Sequence, residues 1–254
     1  VTPAIQRFPI IQKWQKKWGI AKMTKRVAVI SPNCTSASAK RLASLIGADY
    51  HHADGYDWSK YDLVINYGSS NGGEFKKVIN PPMAVKICVN KISTLKRVAH
   101  GVEWTKDPEV AKEWLKKDKA VVCRESQTGM KSEGTNIAYT LEGFNDSPAT
   151  WWSRYFPHDH EVRVNVYKGK ILSVYKKVEE EGYFDFKHME VTGEHRQVNE
   201  MIQSISANIG IDLYGMDILV NNKGVAKLLE VNSGAVLLEE TEGPLLKLLE
   251  KEVL

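Results

Sequence analysis

The feature that most constrains this 254-residue chain is a pair of apolar segments near its end, residues 214–220 and 225–231, joined through Asn221-Asn222-Lys223-Gly224. This pattern predicts a β-hairpin. Side chains alternate along a strand, so Glu230 and Asn232 share one face while Leu229 and Val231 take the other. A turn with an even number of residues centred on Asn222-Lys223 sets Asp217 opposite Leu228 and places it on the face of Glu230; a three-residue turn would reverse the parity. A carboxylate inside the run Lys227-Leu228-Leu229-Glu230-Val231 is costly if it stays charged and unpaired. A hard cation removes that cost. Magnesium accepts carboxylate and amide oxygens and leaves positions for phosphate oxygens, whereas zinc would want His or Cys. The plainer reading makes Asp217 a hairpin-edge residue and Glu230 half of a surface salt bridge.

A second hairpin is predicted where residues 161–167 turn through Lys168-Gly169-Lys170 into residues 171–177. Val162, Val164 and Val166 form its apolar face and Glu161, Arg163, Asn165 and Tyr167 the opposite one. On that face Glu161 can accept hydrogen bonds from ribose hydroxyls, and the planar fork of Arg163 suits a phosphoryl group. Between two further strand signals, residues 126–134 (Ser-Gln-Thr-Gly-Met-Lys-Ser-Glu-Gly) form a small polar loop able to lay backbone N–H groups over phosphates. It lacks the glycine spacing of a P-loop.

The rest of the chain reads as an α/β and α+β protein. Residues 26–30 predict a buried strand, 36–46 a helix and 61–67 a second strand ending in Gly68-Ser69-Ser70-Asn71-Gly72-Gly73, together a small parallel lobe that closes at Pro81-Pro82. Beyond it, residues 84–89 read as a short strand, 91–100 as a helix, and 107–117 as a helix capped by Asp107 with Pro108 in its first turn. Residues 120–123 and 136–139 are strand-like and 199–209 helical. Glu179-Glu180-Glu181-Gly182 reads as a mobile loop.

Charge is unevenly placed. Residues 1–26 carry seven basic groups and no acid; of the 35 basic residues this leaves 28 against 31 acids in the remainder. Ile11, Trp14 and Trp18 share one helical side of this segment, which predicts a basic amphipathic arm, either docked on the body or reaching for membrane, nucleic acid or a protein partner. No apolar run approaches a bilayer-spanning length, and Cys34, Cys88 and Cys123 are scattered and odd in number, so a cytoplasmic location with reduced cysteines is expected.

Taken in order, Asn90-Lys91 opening a helix, a strand ending at Arg124, the Ser132-Glu133-Gly134 loop, Glu161-x-Arg163, Asp217, and Glu230-Val231-Asn232-Ser233 resemble ATP-grasp ligases. Among these the chain is most similar to the RimK-type, glutamate-ligase-like branch, including compact phage-encoded versions. After the basic arm at 1–25, the resemblance implies a pre-ATP-grasp α/β lobe at 26–83, a small lobe at 84–155 and a carboxy-terminal lobe at 156–254, with nucleotide between the last two. It implies an ATP-dependent joining of a carboxylate to an amine through an acyl phosphate. Lys91 and Arg124 then resemble the cations on ATP phosphates and the adenine edge, and Ser132, Glu133 and Gly134 the loop over the phosphates. Tyr155 and Phe156 lie in the stretch bordering adenine, Glu161 resembles the ribose ligand and Arg163 the catalytic arginine. Asp217, Glu230 and Asn232 resemble the Mg2+ ligands. The chain departs from the pattern in having Arg124 where lysine is common and Gly234-Ala235 where Pro-Gly usually follows.

The implied partners are small-molecule or peptide carboxylates and amines, with nucleic-acid or protein contact through residues 1–26 and oligomer formation left open. The rival reading is a non-catalytic ATP-grasp-fold scaffold acting through the basic arm. Gly68-x-Ser70-x-Gly72 after a strand also matches a serine-hydrolase elbow, although Pro81-Pro82 interrupts the helix that should follow.

Overall fold

The computed structural model describes residues 25–32, 36–54, 57–128, 134–180, 183–190 and 195–253. The basic arm therefore lies outside the described residues, apart from Lys25 and Arg26. Strand β1 (Val27–Ser31) is buried along its whole length, as expected of the centre of a parallel sheet. It pairs in parallel with β2 (Asp49–His52) and β3 (Leu63–Asn66), and β4 (Val78–Ile79) extends the sheet beyond β3. Helix α1 (Ala37–Ile46) opens on Ser36, whose hydroxyl accepts from the Ala39 N–H at 3.3 Å, and stops at Gly47 in the left-handed region.

Residues 84–89, expected as a strand, are the body of helix α2 (Pro82–Val89). Proline in its first turn supplies helical φ without losing a hydrogen bond, and Ala84, Val85 and Cys88 bury one side while Met83 and Val89 stay exposed. The following helix α3 (Lys91–Leu95) is shorter than the expected 91–100. His100 adopts a positive φ, and residues 100–102 then run beside Leu228, bonded through the Val102 and Leu228 amides.

Helix α4 (Pro108–Asp118) starts at Asp107, whose carboxylate accepts from the Glu109 N–H. Four strands, β5 (Trp104–Thr105), β6 (Val121–Arg124), β7 (Thr135–Ala138) and β8 (Trp151–Arg154), form an antiparallel sheet in the order β5-β8-β6-β7. The short helix α5 (Leu141–Asn145) lies between β7 and β8.

The largest sheet has the order β11-β10-β9-β12-β13, entirely antiparallel, from β9 (His160–Tyr167), β10 (Lys170–Glu180), β11 (Tyr183–Met189), β12 (Leu213–Val220) and β13 (Ala226–Asn232). Val162, Val164 and Val166 face a core shared with Met201, Ile202 and Ile205 of helix α6 (Arg196–Asn208). Residues 179 and 180, expected in a mobile loop, continue strand β10, which pairs with β11 through Glu180↔Tyr183.

Two elements tie the first sheet to the largest. Helix α7 (Glu239–Val253) delivers Leu245, Leu246 and Leu249 into the core beneath β1 and β3. Asn80, fully buried with φ 63°, sits where five backbone groups converge. Its Nδ2 donates to the carbonyls of Asn66, Leu213 and Ser233, and its Oδ1 accepts from the Asp212 and Leu213 amides. Helix α2 in turn places Ala84 and Cys88 against the apolar face of the largest sheet.

Replacing Asn80 by Ala strands several of those groups without partners, and a loss of about 3 kcal/mol or more is expected in urea unfolding. Asn80→Gly relieves the backbone but restores none of the bonds, so it is expected to remain destabilised in the same assay.

Candidate active site

The carboxylates meet through a register that the even-turn expectation did not contain. Near the turn, Val220 opposes Ala226 and Ile218 opposes Leu228, an odd register that would set Asp217 against Leu229. A β-bulge then inserts one residue, and Asp217 opposes Glu230 instead. The expected Asp217–Leu228 pairing is therefore wrong, although the shared face survives. The bulge also changes what that face carries. Leu228 and Val231 enter the core below the sheet, while Leu229 joins the cluster of Ile92, Leu95, Trp151 and Leu219 on the cleft side, next to Glu230.

Asp217 is 3% exposed. Directly opposite it on β9, Arg163 donates through Nε to Oδ1 at 2.6 Å and through Nη2 to Oδ2 at 2.5 Å. Glu230 is bridged on its Oε2 by Lys91 Nζ at 3.2 Å. The Asn232 amide lies between the two acids, with Nδ2 3.3 Å from Asp217 Oδ2 and 3.2 Å from Glu230 Oε1. Gly215, opposite Asn232, leaves the floor open: a Cβ there would stand 3.2 Å from Asn165 Oδ1 and 3.6 Å from Arg163 Cδ.

These three side chains suit Mg2+. Amide N and O are interchangeable by a half-turn, which brings Asn232 Oδ1 to the point faced by both carboxylates and gives three hard oxygens around one position. Among the described residues no group of three His, Cys, Asp or Glu side chains could hold a metal ion, so a site here requires the amide as its third donor. Burial raises the Asp217 carboxyl to about 6 against the pull of Arg163. Glu230 lies below its ordinary value: burial pushes it up, and the Lys91 charge together with hydrogen bonding to Asp217, Asn232 and Lys91 more than offsets that.

Lys91 reaches the site because helix α3 is anchored at its start. Asn90 Oδ1 accepts from the Ser93 N–H, and its Nδ2 donates to Gln127 Oε1 at 3.0 Å. The Lys91 amide donates to the Gln127 carbonyl at 2.9 Å. Arg124, at the end of β6, is 7% exposed and donates from Nε to Ser153 Oγ at 3.2 Å, with the Trp151 ring 5.0 Å from its guanidinium carbon. Lys91 and Arg163 therefore each bond one of the two acids, and the charge of Glu230 also acts on Arg124.

Glu161 faces the same side of β9 as Arg163, and both its oxygens accept from Lys177 Nζ at 3.0 Å. Tyr155 and Phe156 connect β8 to β9 and line an open cavity of about 360 Å3 together with Val102, Glu103 and Lys227. The trio of oxygen donors is not part of its lining. Ser132 and Glu133 lie outside the described residues. Gly134 has φ 62°, a region that favours glycine, and its carbonyl accepts from the Glu125 amide across the base of the loop.

The sequence reading missed Trp151, Ser153, Lys177 and Phe186, whose ring lies 4.9 Å from the Arg163 guanidinium carbon. Lys177 was accessible to it, because hairpin register sets it opposite Glu161. The other three depend on contacts between strands far apart in sequence. Ser70 is exposed, and among the described residues no helix follows it before Pro82, so the serine-hydrolase elbow is not formed.

The Arg163–Asp217 pair gives a pH-dependent expectation. The Asp217 carboxyl binds its proton more tightly in the folded chain, near 6, than at its ordinary 3.8, so its contribution to stability falls as pH rises between those values. Arg163→Met removes the counter-charge and extends that loss upward. Urea unfolding is expected to show a loss of about 3 kcal/mol at pH 8 and a much smaller one at pH 5. Equal losses at both pH values would contradict a buried, unpaired carboxylate.

No family model and no curated protein sequence matches the chain. Solved structures do. The ATP-grasp ligase PsnB, complexed with Mg, ADP and a phosphomimetic variant of its minimal precursor, superposes with a TM-score of 0.66 at 12% identity, covering 91% of this chain and 100% of that one. D-alanine–D-alanine ligase from Bacillus anthracis, complexed with ATP, gives 0.65 at 13% identity over 91% of this chain and 97% of the other. The macrocyclase MdnC, bound with precursor peptide MdnA from Microcystis aeruginosa MRC, gives 0.61 at 9% identity over 88% and 99%. With its three sheets and the cleft between the last two, the chain has the ATP-grasp fold.

Proposed function

We propose that this protein is an ATP-dependent carboxylate–amine ligase of the RimK-like kind, working in the cytoplasm through an acyl phosphate with Mg-ATP. One observation carries the reading: Asp217, Glu230 and Asn232 converge within hydrogen-bond distance, Lys91 and Arg163 bond the two acids, and Arg124 lies within the field of Glu230. Two acids, one amide and three cations in a largely buried cleft suit a magnesium polyphosphate better than a purely structural cluster, in which so many charges would have to be desolvated. The PsnB and MdnC structures with precursor peptides, and the B. anthracis ligase with ATP, support a nucleotide and a peptide-class acid or amine here as well. In this reading residues 26–83 form the pre-ATP-grasp lobe, 84–155 the small lobe and 156–254 the carboxy-terminal lobe.

A free carboxylate is a poor electrophile. Its oxygen attacks the terminal phosphorus of ATP, ADP leaves, and the resulting acyl phosphate is opened by an amine that loses a proton as phosphate departs. Asp217, Glu230 and Asn232 would hold magnesium, which would supply charge neutralisation for the transferred group. Arg163 carries its charge on the same face of the sheet, where the transferred group develops negative charge, and Lys91 and Arg124 hold the remaining phosphates. Glu161, oriented by Lys177, accepts from ribose hydroxyls. Tyr155 and Phe156 border the base.

Glu230→Ala and Asn232→Ala are each expected to weaken Mg-ADP binding at least about tenfold by calorimetry, while leaving the fold intact by circular dichroism. Pooled amino acids and peptides incubated with the protein are expected to yield an ATP-dependent conjugate by mass spectrometry that the Glu230→Ala protein does not make. Undiminished nucleotide binding by both variants would overturn the reading. Nucleotide binding without any product would favour the scaffold.

A further inference from the structure

Arg124 is held unlike any other cation of the cleft. Lys91 and Arg163 each bond a carboxylate, whereas Arg124, although nearly as buried as Asp217, bonds none among the described residues. Among the described residues the acid whose charge acts on it, Glu230, is bridged to Lys91. A buried guanidinium without an anion is costly, and its seat is elaborate. Trp151 is its direct partner across the β6–β8 ladder, and the indole lies 5.0 Å from the guanidinium carbon. Trp151 cannot easily turn away. It is 1% exposed, its Nε1 donates to the Ser126 carbonyl at 3.1 Å, and it packs with Ile92, Leu95 and Leu219. Ser153, two residues along the same face of β8, accepts from Arg124 Nε at 3.2 Å.

With Nε tied and the carbon held against a ring, the plane of the fork is set. Nη1 and Nη2 have no partner among the described residues. We propose that Trp151 and Ser153 are positioning residues that hold Arg124 as a two-pronged clamp, both Nη groups bonding oxygens of one phosphate of the bound nucleotide. The inference rests on the Mg-nucleotide reading of the cleft. It adds that the contact is bidentate and depends on the stack. An ammonium at this position would act as a point charge with freely rotating protons and would need no platform, so the dependence on Trp151 and Ser153 belongs to the fork.

The test is a double-mutant comparison by calorimetry with Mg-ADP, using Trp151→Leu and Ser153→Ala, each in the parent and in the Arg124→Lys background. In the parent, Trp151→Leu is expected to raise the Kd about tenfold and Ser153→Ala about threefold. In the Arg124→Lys background each change is expected to be less than about twofold. Trp151→Phe, which keeps a ring face, is expected to recover most of the parent affinity. Should Trp151→Leu fail to fold, the Ser153→Ala pair carries the same comparison. Equal losses in both backgrounds, with a parent that binds Mg-ADP, would overturn the clamp while leaving the nucleotide reading intact. A parent silent toward Mg-ADP would remove both.

Discussion

A carboxylate on Asp217, sealed between strands β9 and β13, is the group around which the cleft is arranged. An acid at that depth needs an opposite charge and hydrogen bonds on its remaining lone pairs. Arg163 supplies the first from the adjacent strand and Asn232 the second from the other side. Glu230 repeats the demand one position away and draws in Lys91 from a helix of the preceding segment. Two acids placed side by side thus dictate which elements must come together, and the cations they recruit are those a polyphosphate would also require.

The bulge at Leu229 is the device that allows this. In a regular strand an apolar side chain and a carboxylate in adjacent positions face opposite ways. One additional residue lets Leu229 line the cleft and Glu230 face Asp217, while Leu228 and Val231 both remain in the core. An apolar floor and an anionic centre then lie next to each other, which suits the proposed nucleotide, with its flat ring at one end and phosphates at the other.

Much of this was legible because it is periodic. The alternation of Val162, Val164 and Val166 gave the inward face of β9, and with it the sharing of a side by Glu161 and Arg163. The Ser36 and Asp107 caps marked helix starts through local chemistry. What was not legible is aperiodic or remote. The bulge leaves no composition signal, so the turn parity was misread although the convergence was right. The run at 84–89 is too short for its period to separate strand from helix, and Pro82 decided the matter. Strand β11 was missed because its partner β10 was expected to end earlier, in an acidic loop. Trp151 and Ser153 draw their meaning from Arg124, on a neighbouring strand nearly 30 positions away.

Helix α7 adds a temporal constraint. Leu245, Leu246 and Leu249 complete the core beneath the first parallel sheet, whose strands are made more than 160 residues earlier. During synthesis from the amino terminus that sheet lacks part of its apolar cover until the residues of helix α7 have left the ribosome. Contacts of such sequence separation slow folding and leave apolar surface open to association in the interval. The strands of the candidate cleft lie between these two elements in sequence, so they are made while that sheet is still partly uncovered.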